Sequence, residues 1–157
     1  MAQLKHSFCI LLFGALSMAG VAASSADLKS PDMVKMGLRI LAGVYGDMDR
    51  KLAANQYDRL PHENEEFQEG SGALRDAVAN EPSAFKTKSK AALDEALANA
   101  NRVAEASKSH DKAQVQAALH ALAQSLTKLN ALFPESLRAE PGTVAPGRPG
   151  AGPNPPP

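Results

Sequence analysis

The chain has 157 residues with 17 basic and 17 acidic side chains, 44% hydrophobic and only 4% aromatic residues, and no tryptophan. A balance this close to neutral argues against nucleic acid as a partner and against electrostatic membrane binding. The shortage of aromatic rings leaves few platforms on which bases or sugars would stack.

Residues 1–26 read as a secretory signal peptide, which predicts a periplasmic protein. Lys5 supplies the positive start, Phe8 to Ala19 the apolar stretch, and Val21-Ala22-Ala23 or Ser24-Ser25-Ala26 the small residues of a cleavage site. The apolar stretch is shorter than the roughly 20 residues a spanning helix needs, so no stable membrane insertion is expected after cleavage. Cys9, the only cysteine, lies in this segment. The remaining chain therefore has no thiol for a disulfide, a thiolate metal site, a nucleophile or a thioether link to haem. Its stability has to come from a packed core.

Residues 27–139 carry helical patterning. Ser30-Pro31-Asp32 predicts a helix start, with a capping hydroxyl, a first-turn proline and an acid facing the positive end of the helix dipole. Met33, Met36, Ile40, Leu41, Val44, Met48 and Leu52 then fall on one face, and the helix should end near Ala54. A second helix is expected over about 62–80 on the stripe Leu60, Phe67, Leu74 and Val78. Gly70 and Gly72 suggest a break near Glu69, and Pro82 ends the segment. A third, alanine-rich helix should run from about Ser83 to Ser109 with Phe85, Ala92, Leu93, Ala96, Leu97, Ala100, Val103 and Ala104 inward. The short link Ser109-His110-Asp111 would make its successor an antiparallel neighbour. That fourth helix opens on Asp111 with Gln114 three residues on, a capping-box pattern. It buries Val115, Ala118, Leu119, Leu122, Leu126, Leu129 and Phe133, and stops at Pro134. The expected fold is all-α, an antiparallel four-helix bundle. From Glu140 to Pro157 the composition changes to repeated Pro-Gly steps and a closing triple proline, which reads as a disordered tail.

Three stretches carry a resemblance to a known family: Gly37 through Met48, Ala84-Phe85-Lys86 with the alanine-rich helix after it, and His110-Asp111-Lys112-Ala113-Gln114 with the helix leading to Leu137-Arg138. The chain resembles the cytochrome c′ family of periplasmic four-helix-bundle cytochromes. The family's diagnostic element is a C-x-x-C-H motif late on the fourth helix, two cysteines holding the haem and a histidine ligating its iron. Aligned on Leu137-Arg138, the motif falls on Asn130 to Pro134. Asn130 and Phe133 stand at the cysteine positions and Pro134 at the histidine position. The resemblance thus implies a relative without covalent haem, and a possible homodimer through the first two helices. Related cytochromes hold haem b non-covalently with a first-helix methionine and a late fourth-helix histidine. Met33 or Met36 would serve as the methionine, but the matching histidine position is again Pro134, and His120 lies off the apolar stripe.

Other chemistry is sparse. His62, with Glu63 and Glu66 close in sequence, is the candidate metal site, set against a solvated acidic helix start. Met33, Met36 and Met48 would be soft ligands or core filler. Ser125 and Thr127 have no histidine and acid at a recognisable spacing, Gly70-Ser71-Gly72 lacks a phosphate-loop lysine, and the adjacent Asp94 and Glu95 point apart on a helix. The sequence therefore predicts a non-enzymatic binding or accessory protein without a cofactor. The alternatives are an electron-transfer or gas-binding cytochrome with non-covalent haem b, and a metal-binding sensor or chaperone.

Overall fold

A computed structural model describes residues 28–139; the signal segment 1–26 and the proline-rich tail 140–157 expected above lie outside the described residues. All regular structure among the described residues is helical: α1 (Pro31–Ala53), α2 (Leu60–Ala77), α3 (Ser83–Ser107) and α4 (Lys112–Ala131), with short 3-10 turns at Tyr57–Arg59 and Glu135–Leu137. None of these helices is long and apolar enough to cross a membrane. The helices pack in a cycle, α1 on α2, α2 on α3, α3 on α4 and α4 back on α1. They enclose one core whose largest fully buried side chains include Phe67, Phe133, Leu41, Met48, Leu60, Leu74, Leu93, Leu122 and Leu129.

Helix α1 buries Leu41, Val44, Met48 and Leu52 as expected, with Ile40 partly buried, and departs from expectation in its first turns. Val34, Gly37 and Leu38 are buried, whereas Met33 and Met36 are 53% and 62% exposed. In these turns the sequence offers two apolar pairs, with Met33 and Met36 roughly 150° around the helix from Val34 and Leu38 at about 100° per residue. Close packing against α2 selects between them. A Cβ at Gly37 would lie 3.0 Å from Leu74 Cβ and 3.1 Å from its Cα, so this face of α1 meets the α2 backbone. With Gly37 in the seam, Val34 and Leu38 turn inward and Met33 and Met36 turn outward.

The same seam explains why α2 does not break at its glycines. Gly70 is buried against α1, where an added Cβ would stand 2.6 Å from Ile40 Cγ2. Packing gained there offsets the propensity lost by a mid-helix glycine. Gly72 has open space beside it. Helix α2 also starts earlier than expected, at Leu60, and takes Pro61 into its first turn, where the missing N–H would have had no intrahelical partner anyway. It ends at Ala77, before Asn80.

Capping follows local chemistry with one exception. Ser30 precedes α1, but its side chain makes no capping hydrogen bond, so Pro31 and Asp32 carry the helix start. Helix α1 ends in a Schellman motif. Asn55 is left-handed (φ 56°), its N–H donates to Leu52 O, and the Gln56 N–H donates to Lys51 O at 2.8 Å. At the start of α4, the Asp111 carboxylate accepts from the Ala113 and Gln114 N–H groups. The expected capping box is half formed, because the Gln114 amide bonds the Asp111 carboxylate and the Asp111 N–H goes to Ser109 Oγ. Helix α4 ends at Ala131, ahead of Pro134.

Asp94 and Glu95 diverge as expected. Asp94 binds Lys90 at 2.5 Å and Arg75 of α2 at 3.3 Å, while Glu95 binds Lys128 of α4 at 2.7 Å. The hydrogen bond from Lys90 holds the Asp94 carboxyl below its ordinary value of 3.8, with help from the charges of Lys90 and Arg75 against partial desolvation.

Two outcomes follow. Gly72→Ala should raise unfolding free energy by about 0.5–1 kcal/mol through helix propensity. Gly70→Ala gains the same propensity but overpacks the seam, so it should fall below Gly72→Ala by about 1–3 kcal/mol in urea denaturation. A depressed carboxyl stabilises the fold above its unfolded value and loses that contribution as pH falls through the lower folded value. Asp94→Asn should therefore flatten the stability loss measured by denaturation below pH 3.8, by a small amount because the carboxylate is well exposed.

Candidate functional site

Asn130, Phe133 and Pro134, singled out by the resemblance, close the end of the domain. Phe133 is fully buried and meets Phe85 of α3 edge to face, with ring centroids 5.5 Å apart. Pro134 breaks the helix and leads into the turn Glu135–Leu137, which packs on α1 with Leu137 buried. The Asn130 side-chain amide pairs with both backbone groups of one residue. Its Nδ2 donates to Ala139 O at 2.8 Å and its Oδ1 accepts from Ala139 N–H at 3.2 Å. Arg138 Nε donates to Phe133 O at 2.9 Å. All three motif positions thus have defined structural work: Asn130 anchors the returning chain, Phe133 fills the core and Pro134 turns the backbone.

The side chains that would ligate a non-covalent haem face away from this interior. Met33 and Met36 are exposed, and the exposed His120 lies with its Nε2 3.0 Å from Gln124 Nε2. Neither the side chains at 130, 133 and 134 nor the outward Met33, Met36 and His120 converge on a shared interior point among the described residues.

The predicted metal residues are only partly brought together. His62 sits exposed in the first turns of α2, with Nδ1 3.4 Å from Glu65 and Nε2 3.6 Å from Glu66. Glu63 turns the other way and is 3% exposed, its carboxylate paired with Lys51 of α1. Among the described residues no group of three or more His, Cys, Asp or Glu side chains is arranged to hold a metal ion. Met48 is fully buried, away from the exposed Met33 and Met36.

Beside the Lys51–Glu63 pair lies a polar seam that the apolar stripe alone did not reveal. Asn64 is buried and donates to Asn101 Oδ1 of α3 at 2.9 Å, an oxygen that Gln68 also approaches at 3.3 Å. Asn64 Oδ1 is buried with no hydrogen-bond partner; an unpaired buried acceptor costs about 1–3 kcal/mol. The sequence did contain a signal. Glu63 and Asn64 fall on the same helical face as Leu60 and Phe67, where side chains must either pair or stay out of the core. At the same end, His110, left-handed at φ 53°, stacks on Tyr57 at 5.2 Å, and its Nε2 lies 3.2 Å from Asp58. This clasp joins the α1–α2 and α3–α4 links. At the other end, the buried Glu81 accepts the Lys29 N–H at 2.7 Å. Ser125 and Thr127 donate their hydroxyls to Leu122 O and Ala123 O of their own helix, which leaves neither arranged as a nucleophile.

Comparisons with known protein families, curated proteins and solved structures find no match.

Asn130→Ala removes both bonds to Ala139 and should lower stability by about 1–2 kcal/mol. Amide exchange should accelerate at Ala139 while the α2 amides keep their protection; unchanged exchange at Ala139 would show that the anchor is dispensable.

Proposed function

We propose that this protein is exported to the periplasm and acts there as a non-enzymatic binding or accessory protein. Its scaffold, on this reading, is an antiparallel four-helix bundle of the cytochrome c′ type that holds no covalent haem. The cyclic packing of the helices supports the bundle, as do the links that meet in pairs, Tyr57 with His110 and Lys29 with Glu81. The observation that carries the functional reading is the occupation of the motif positions. Asn130 is committed to Ala139, Phe133 to the core beside Phe85, and Pro134 to the chain turn. Thioether attachment needs thiols and the motif's axial ligand is an imidazole, and none of these three side chains provides either. The backbone-bonded hydroxyls of Ser125 and Thr127, together with the divergent pairing of Asp94 and Glu95, support the absence of an activated nucleophile or an acid–base pair.

The absorption spectrum of protein purified from the periplasm tests this reading. The expected result is no Soret band in the native material and no spectral shift on addition of haemin. A Soret band that copurifies with the protein and disappears on haem extraction would establish the cytochrome alternative instead.

A further inference from the structure

The sulfur atoms of the described domain fall into two classes. Met33 and Met36 are 53% and 62% exposed, one turn apart on the outer face of α1, while Met48 on the same helix is 0% exposed. Residues 28–139 contain no cysteine, so these thioethers are its only sulfur nucleophiles. We propose that Met33 and Met36 form a reversible oxidation site for peroxides, with Met48 shielded by the fold.

The chemistry requires only access to the sulfur. A thioether lone pair attacks one peroxide oxygen and the O–O bond breaks. Sulfur is oxidised by two electrons to the sulfoxide, and the peroxide is reduced, releasing water when the oxidant is hydrogen peroxide. The reverse step belongs to a methionine sulfoxide reductase, whose dithiol is oxidised to a disulfide as the thioether is restored with loss of water. A sulfoxide is polar, and its consequences therefore depend on position. On the outer face of α1 it meets solvent, whereas at Met48 it would place an unpaired polar group in the core. In the first turns of α1 Val34, Gly37 and Leu38 take the core side, with Gly37 close to Leu74 of α2, which leaves Met33 and Met36 outside. The domain can therefore be oxidised at two positions and remain folded. This inference does not depend on the haem-free reading, since access to the two sulfurs follows from helix rotation alone.

The test exposes the full chain to dilute hydrogen peroxide and maps each methionine by peptide mass spectrometry, which separates these three from Met1 and Met18. The expected result is one added oxygen on Met33 and one on Met36, with circular dichroism and melting temperature unchanged. Met48 should react at least about tenfold more slowly until denaturant removes its protection. Treatment with sulfoxide reductase should restore the starting mass. Met33→Leu with Met36→Leu should abolish the uptake in this segment and keep the fold, since the exchange nearly conserves side-chain volume. Equal oxidation of Met48 in the native protein would overturn the proposal, as would rates at Met33 and Met36 more than about tenfold below free methionine or loss of the fold when those two alone are oxidised.

Discussion

The approach of α1 to α2 is the constraint from which most of the molecule's arrangement follows. Gly37 lets the α2 backbone at Leu74 come close, and Gly70 makes room for Ile40 from the opposite side. Neither glycine is required by backbone conformation; each is required by proximity. Once the helices sit this close, the rotation of α1 is no longer free. Val34, Leu38, Leu41 and Met48 enter the core, and the methionines at 33 and 36 are left outside. The seam also places Lys51 where it can reach Glu63, so the pairing of one buried carboxylate depends on the same close approach. Removing one partner of a buried pair leaves an uncompensated charge, which ties the polar end of α2 to the packing of its middle.

Much of this architecture was legible in sequence because it depends on local signals. Alanine and leucine periodicity in α3 and α4 identified the buried apolar positions but not the buried Ser89, Asn99, Ser107 and Ser125, and Asp111 and Pro134 bounded α4. In α1 the expected Leu41, Val44, Met48 and Leu52 are buried, but the first turns were not legible, because Met33 and Met36 extend the apolar spacing as well as Val34 and Leu38 do and only the partner helix distinguishes them. The unbroken α2 was missed for a related reason. Propensity treats Gly70 as a weakness, but its value lies in an interhelical distance that one helix considered alone does not contain. Ser30 shows the opposite error, since a residue of the right type precedes the helix and its side chain does not cap it.

The candidate site divided in the same way. Residue identity alone showed that Asn130, Phe133 and Pro134 provide no thiol or imidazole. Their structural roles required the fold. That Asn130 pairs with Ala139, nine residues on, depends on the turn after Pro134 bringing the chain back. His62 was found beside Glu66 as the helical spacing implied, yet Glu63, adjacent in sequence, lies on the core face with Lys51. Consecutive helix residues point apart, so a cluster read along the chain loses members when it is wrapped around a cylinder.

The interior chemistry leads to one further step. Ser71, Ser89, Ser107 and Ser125 are all buried, and each donates its hydroxyl to a carbonyl of its own helix one turn back. These serines therefore behave as small residues with their polarity already satisfied, which allows close helix contact without a partner across the core. A bundle that binds a prosthetic group inside needs side chains that project polar atoms toward the centre and are satisfied by the guest. Here the buried serine hydroxyls are satisfied within their helices and the buried carboxylates of Glu63 and Glu81 are bonded to Lys51 and to the Lys29 backbone; among the described residues Asn64 Oδ1 is buried without a partner, and His62, His110 and His120 are outward. On the outside, the first turns of α1 present the two exposed thioethers of Met33 and Met36.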